Sequence, residues 1–304
     1  MQKKILVLGA TGMIGSAIFK VLSKFPEYDV YGTARKKEGL EQYFTPELFS
    51  KIRKNVDAEN FDSIMRSLAS IQPDIVINCI GIIKQKPLSQ DSLIIINHNA
   101  QLPHRISMVC RAAKARMIQI STDCVFEGTK SNYTEEDIPD AHDIYGRTKY
   151  LGEVNYPHCV TIRTSTIGPE LKGKFGLLEW FLAQQNEVKG FAHAIFSGLP
   201  TNEFANVIGK NIIPNDKLSG LYHISAEPIS KYDLLKIIAE EFEKKITINK
   251  NDSFYQDRSL NSDKFKKETS YAPADWKTLI KELKVFYTES QPYFINKNFY
   301  KEIL

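Results

Sequence analysis

Three glycines punctuate Gly9-Ala10-Thr11-Gly12-Met13-Ile14-Gly15, the turn that joins an apolar strand at Ile5 to Leu8 to a helix at Ile14 to Leu22. Each glycine has a separate physical use. Gly9 permits the tight turn, Gly12 lets the backbone come close to a bulky anion, and Gly15 allows close packing of helix on strand. The helix then opens with unpaired N–H groups and the positive end of its dipole, a setting suited to a pyrophosphate. In mid-chain the same glycines would read as a plain connection. Between the first strand and first helix of a βαβ series they read as a dinucleotide-binding turn, with Thr11, Met13 and Ile14 also facing the ligand.

The alternation continues downstream. Strands are expected at Asp29 to Thr33, Ile52 to Val56, Ile75 to Ile80, Met117 to Ser121 and Cys159 to Thr164, and helices at Phe61 to Ile71, Ala100 to Ala113 and Tyr145 to Glu153. Short, wholly apolar strands separated by helices indicate a parallel sheet covered on both faces. The expected fold is therefore α/β, a Rossmann-type doubly wound parallel sheet over residues 1–168. A smaller substrate-binding α/β portion is expected over 169–304, with elements that interleave. In that portion helices are expected at Leu177 to Gln185, Asn202 to Ile208, Ser230 to Phe242 and Trp276 to Phe286, and a strand at Leu221 to Ile224. Asn249 to Tyr271 reads as polar and irregular.

Composition excludes several function classes. The net charge of +4 over 304 residues, without a basic stripe, argues against a nucleic-acid partner but suits anionic small molecules. Cys79, Cys110, Cys124 and Cys159 form no CxxC pair and read as free thiols of a reduced, intracellular protein. His98, His104, His142, His193 and His223 show no metal-binding spacing, so no metal site is expected. The start Met1-Gln2-Lys3-Lys4 runs directly into a strand, and the longest apolar stretches are too short to span a bilayer. A cytoplasmic location without membrane insertion is expected.

At the end of the second strand, Arg35, Lys36 and Lys37 stand where a protein selecting NAD usually carries a carboxylate for the ribose 2′-hydroxyl. Cations there suit a 2′-phosphate, so NADP(H) is expected over NAD(H). Asp57, after the third strand, reads either as an acceptor for the adenine amino group or as a cap.

Tyr145 and Lys149 lie four residues apart, on one face of a helix. A phenol titrates near ~10, and a fixed cation beside it would lower that value toward the working range of a proton donor. A hydroxyl from Thr122 or Ser121 would complete a cluster able to polarise a carbonyl. Adjacent strand residues face opposite ways, so only one of the two can serve.

These pieces together resemble the extended short-chain dehydrogenase/reductase superfamily, and within it dTDP-4-dehydrorhamnose reductases and related reductases of nucleotide-activated 4-keto-6-deoxy sugars. The likeness is carried by Gly9 to Gly15, Asn78-Cys79-Ile80-Gly81, Ser121 to Gly128 (STDCVFEG), Tyr145 to Glu153 (YGRTKYLGE), Arg163-Thr164-Ser165 and Gly198-Leu199-Pro200-Thr201. The resemblance implies a proton from Tyr145, a Lys149 that holds the nicotinamide ribose, and the hydroxyl role for Thr122. It implies Ile80 and Gly81 against the cofactor, and a dTDP- or UDP-linked sugar as substrate. Related dehydratases carry an Asp-Glu pair after the catalytic Thr. Here Asp123 is followed by Cys124, which disfavours dehydration, and the basic turn at Arg35 argues against a 4-epimerase that retains NAD. The same resemblance admits a non-catalytic NADP-binding regulatory subunit, and members often form homodimers.

Lys84, Ser197 and Arg258 are the remaining substrate-site candidates. Lys84 follows the fourth strand and reads equally as a loop lysine, while Arg258 offers guanidinium geometry for a diphosphate. The aromatic cluster from Tyr287 to Tyr300 reads as packing or an oligomer contact.

Overall fold

The computed structural model describes residues 2–84 and 91–291. Its first six strands are β1 (Lys3–Leu8), β2 (Tyr28–Thr33), β3 (Ile52–Arg53), β4 (Ile75–Asn78), β5 (Arg116–Ile120) and β6 (Cys159–Arg163). Helices α1 (Met13–Leu22), α2 (Pro46–Ser50), α3 (Phe61–Ile71), α4 (Ser92–Ile96), α5 (Leu102–Ala112) and α6 (Ile144–Leu151) alternate with them. The later strands are β7 (Thr166–Ile167), β8 (Glu187–Phe196), β9 (Leu199–Pro200), β10 (Gly220–His223), β11 (Ile229–Ser230) and β12 (Thr247–Asp257). The later helices are α7 (Leu177–Ala183), α8 (Thr201–Val207), α9 (Lys231–Glu241), α10 (Asp263–Thr269) and α11 (Trp276–Ser290).

The main sheet is parallel throughout and runs β10-β6-β5-β4-β1-β2-β3. The chain winds outward in both directions from β1, so the strand order reverses between β1 and β4. This is the Rossmann-type arrangement, and it opens a crevice at the carboxyl ends of those two strands. Both faces of β1 are buried. Ile5 and Val7 enter one apolar core and Leu6 and Leu8 the other, all fully shielded. That double burial explains why β1 is apolar at every position from Ile5 to Leu8.

Beyond residue 168 the elements are shared out. β10 adds the seventh strand beside β6, and α8 packs on α1. β11, β8 and β12 form a separate three-stranded sheet, while β7 pairs with β9. Asn249 to Tyr271 is not irregular as its polarity suggests: it holds most of β12 and all of α10. β12 is an edge strand with mostly exposed side chains, paired in parallel with β8 and bulged between Asn251 and Tyr255. Its main chain carries the pairing, so its side chains show no apolar alternation. The expected aromatic cluster at the end of the chain lies outside the described residues, apart from Tyr287. Among the described residues no helix is long and apolar enough to cross a membrane.

Candidate active site

The glycine turn takes the form its composition requires. Gly9 sits at φ +78°, and a Cβ there would lie 3.2 Å from Ile80 Cγ1 and 3.3 Å from the Cys79 backbone. A Cβ on Gly15 would fall 2.2 Å from the Gly9 carbonyl oxygen, so no larger residue fits against the turn. Gly12 caps α1 without any side-chain hydrogen bond, and a Cβ on it would meet nothing nearer than 3.6 Å. The helix therefore begins with open space before its first N–H groups. Thr33 Oγ1 accepts from Gly9 N at 3.0 Å and ties the turn to β2. A dinucleotide pyrophosphate fits this cradle.

Across the crevice, Ile80 and Gly81 follow β4. Asn99 pins their loop by accepting from Ile82 N at 2.8 Å and donating to Ile82 O at 2.9 Å. Asn99 is one of three amides in Asn97-His98-Asn99-Ala100-Gln101, and only the fold shows that it is the enclosed one. Sequence reasoning passed it over.

Arg35 and Lys36 are exposed at the end of β2. Pairing with the neighbouring strand end brings Arg53 and Lys54 beside them, through Ala34 N to Arg53 O at 2.9 Å and Asn55 N to Arg35 O at 3.2 Å. Lys37, Arg53, Lys54 and Arg66 line one open groove in which no carboxylate takes part. Arg53 and Lys54 were not singled out from sequence, because only the β2–β3 pairing places them next to Arg35. Asp57 is half-buried, and one carboxylate oxygen accepts from Glu59 N at 3.1 Å.

β5 and α6 supply the polar cluster. Asp143 caps α6 by accepting from Gly146 N at 2.9 Å, which starts the helix one residue before Tyr145. Thr122 Oγ1 accepts from Cys124 N at 3.1 Å and donates to Asp123 Oδ1 at 3.0 Å. The Thr122 hydroxyl lies close enough to the Tyr145 phenol to act on it. Ser121 faces the other way and donates to Glu153 Oε1 at 2.7 Å. Of the two rival hydroxyls, Thr122 is therefore the one that meets Tyr145.

The electrostatics differ from the simple expectation. Burial pushes the Tyr145 phenol well above its ordinary value, with Cys124 adding to the rise and the Thr122 hydroxyl opposing it. Lys149 is buried and donates to the Ile120 carbonyl at 2.7 Å. The net shift of the phenol in this arrangement is upward. The phenol carries a proton at neutral pH, as an unshifted phenol near ~10 also does.

Lys84 and Arg258 converge on the same cluster. Lys84 Nζ lies 2.6 Å from Asp143 Oδ2 and 5.7 Å from the centre of the Tyr145 ring. Arg258 Nη1 lies 3.5 Å from Cys124 Sγ, while its Nε is buried without a hydrogen-bond partner. A half-buried guanidinium whose buried Nε donor is unused suits an anionic oxygen. Ser197 is buried, and its hydroxyl accepts from Leu260 N at 3.0 Å. It anchors the segment that carries Arg258. Among the described residues, no group of three or more His, Cys, Asp or Glu side chains is placed to hold a metal ion.

Comparison with known proteins decides the family, because the profile described as "RmlD substrate binding domain" matches residues 3–284. The chain belongs to the RmlD substrate binding domain family. A mouse relative, methionine adenosyltransferase 2 subunit beta, is 27% identical over 158 residues. That match covers 50% of this chain and 42% of the relative, so the chain spans less than half of that protein. The spore coat polysaccharide biosynthesis protein SpsK of Bacillus subtilis is 27% identical over 78% of this chain and 79% of its own length. In structure, the dTDP-4-dehydrorhamnose reductase from Bacillus anthracis, solved with NADP, superposes with a TM-score of 0.76. It covers 94% of this chain and 100% of its own at 20% identity, a likeness of fold.

Within this RmlD-family chain, Lys149 is a residue kept against stability. Burial lowers its ammonium from 10.5 to about 8, with Glu153 opposing the shift. A cation whose folded pKa lies below its unfolded value costs stability at neutral pH. The cost fades as pH rises from about 8 towards 10.5, where the unfolded chain also loses its proton. Lys149→Met should therefore stabilise the protein at pH 7 by on the order of 1–3 kcal/mol. The Ile120 carbonyl keeps a second donor, Gln119 Nε2 at 3.0 Å. Denaturant melts across pH check this: the gain should shrink above pH about 8, and a destabilised variant would show that the Ile120 bond dominates.

Proposed function

We propose that the chain is an NADPH-dependent reductase of a nucleotide-activated 4-keto-6-deoxy sugar, working in deoxysugar or surface polysaccharide synthesis. The observation that carries this reading is the meeting of the Thr122 and Tyr145 hydroxyls beside buried Lys149, at the carboxyl end of β5. The glycine turn from Gly9 to Gly15 would hold the pyrophosphate, Ile80 and Gly81 would line the nicotinamide half, and Asp57 would approach the adenine. Arg35 and Lys36, joined by Arg53 and Lys54, would take the 2′-phosphate. Bound NADPH supplies the hydride. Thr122 polarises the carbonyl oxygen, Tyr145 delivers its proton to that oxygen, and Lys149 is the cation placed to offset the charge left on the phenolate. Lys84 and Arg258 would hold the sugar and the diphosphate of a dTDP- or UDP-linked substrate.

Incubation with NADPH and dTDP-4-dehydrorhamnose tests the proposal. NADPH should be consumed with formation of the reduced sugar, and no turnover with either dTDP- or UDP-linked 4-keto sugars would overturn it. Cofactor choice is tested separately. Arg35→Ala should weaken NADPH binding by about tenfold and leave NADH binding unchanged. Equal effects on both cofactors would remove the 2′-phosphate assignment.

The β-subunit relatives favour a second reading, a non-catalytic NADP-binding subunit of a larger assembly. The two readings part on turnover, because the regulatory one predicts cofactor binding without NADPH oxidation. A cytoplasmic homodimer is the setting we infer for the enzyme.

A further inference from the structure

A cavity of about 330 Å³ lies away from the crevice, between the last turns of α1, the β2 face, the segment around Phe44, and the end of α11. Its volume is at the lower end of the range for small-molecule sites, ~300–1,000 Å³. Two buried polar groups in it are poorly matched by the protein. Lys20 is 9% exposed, and its one hydrogen bond among the described residues is a long contact of 3.5 Å to the Ser290 carbonyl. The Ser290 hydroxyl is buried with no hydrogen-bond partner among the described residues. An ammonium carries three donors, and leaving them and a hydroxyl dry is costly.

Glu289 partly offsets the burial of the Lys20 ammonium, but no carboxylate pairs with Lys20 directly among the described residues. Lys24 pairs with Glu289 at 2.8 Å, and Lys51 pairs with Asp29 at 3.0 Å. Glu47 also lines the cavity, but it is exposed in the first turn of α2. Lys20 alone stands over an aromatic face, 5.2 Å from the centre of the Phe44 ring. Burial lowers its ammonium to about 8, which still leaves it cationic at neutral pH. Phe44, Val30, Leu48 and Phe286 give the remaining wall an apolar character. Lys20 is in contact with the main chain of Ser290, so the amine and the adjacent hydroxyl can engage one small anionic group together.

We infer that this cavity is a second ligand site, separate from the dinucleotide crevice, which takes a compact monocarboxylate with an aromatic or branched apolar body. The carboxylate accepts from Lys20 Nζ and Ser290 Oγ, and the body lies against Phe44 and Phe286. The site is independent of the reductase reading.

Titration of the full-length chain with benzoate, followed by saturation-transfer NMR and calorimetry, tests the inference. Benzoate should bind saturably with a dissociation constant of about a millimolar or tighter, and benzyl alcohol about tenfold more weakly. Lys20→Met should weaken benzoate by about tenfold or more, and Ser290→Ala by a smaller factor. Val30→Phe, which fills the cavity and leaves both polar groups in place, should abolish binding and serves if Lys20→Met fails to fold. No saturable benzoate binding, or equal affinity in the folded Lys20→Met or Val30→Phe protein, would overturn the assignment.

Discussion

Tyr145→Phe is expected to reduce NADPH-dependent carbonyl reduction by about a hundred- to ten-thousand-fold, the range for loss of a positioned general acid. Cofactor affinity should be unchanged. The two effects separate because the phenol ring and its hydroxyl do different things. Phenylalanine keeps the packing of the ring but has no proton to give. Burial raises the Tyr145 phenol and makes it a weaker acid than a free phenol, but it carries a proton at neutral pH, as an unshifted phenol near ~10 also does, and that proton is what phenylalanine removes. Thr122 keeps its contacts with Asp123 and Cys124 in the variant, so the rest of the cluster should hold its geometry. Single-turnover kinetics at saturating NADPH, with cofactor affinity from a fluorescence titration, check both halves. Equal rates for the two proteins would move the proton donor elsewhere.

The second large effect is on stability. Arg163 is 2% exposed, and its Nε and Nη2 contact the two oxygens of Glu153 at 2.8 and 2.7 Å. The same carboxylate accepts from Ser121 at 2.7 Å. On the far side, Arg163 Nη1 lies 3.3 Å from His223 Nε2, and His223 Nδ1 lies 3.0 Å from the Tyr133 carbonyl. Burial, with the nearby Arg163 cation, lowers His223 to about 3, so it is neutral at pH 7. An arginine donating to Nε2 leaves the His223 proton on Nδ1, directed at Tyr133. Replacing Arg163 by Met takes the paired guanidinium from a largely enclosed Glu153, leaving it Ser121 and the more distant Lys149 charge, and should cost about 3–5 kcal/mol in denaturant melts. Adding Glu153→Leu should restore much of that loss, because a matched apolar pair removes both desolvation penalties. If the double variant is no better than the single one, the bridge is not the source of the loss. The double variant should still reduce turnover, since Ser121 and the end of α6 lose the carboxylate that joins β5, β6 and α6.

The parts of the site that come from one local stretch were readable from residue order. Gly9 to Gly15 needs only a strand, a turn and a helix to declare its shape. Tyr145 and Lys149 need only a helix to share a face. The parts made by pairing were not readable. Arg53 and Lys54 are ordinary loop cations until β3 aligns with β2. Asn99 is an ordinary amide until it meets Ile82 across a loop. Lys20 looks like the basic end of an amphipathic helix until α11 folds over it. β12 was obscured for a related reason, because an edge strand held by its main chain places little demand on side-chain pattern.

The sequence by itself determined the doubly wound sheet, the phosphate turn and the identity of the polar cluster. Strand burial on both faces and helical spacing are local properties that composition records directly. Tertiary structure alone decided that Ser121 is taken up by Glu153, that Lys149 reaches the Ile120 carbonyl, and that burial controls the phenol. Those outcomes depend on which low-dielectric surroundings close around each group. That is a property of contacts between segments far apart in the chain.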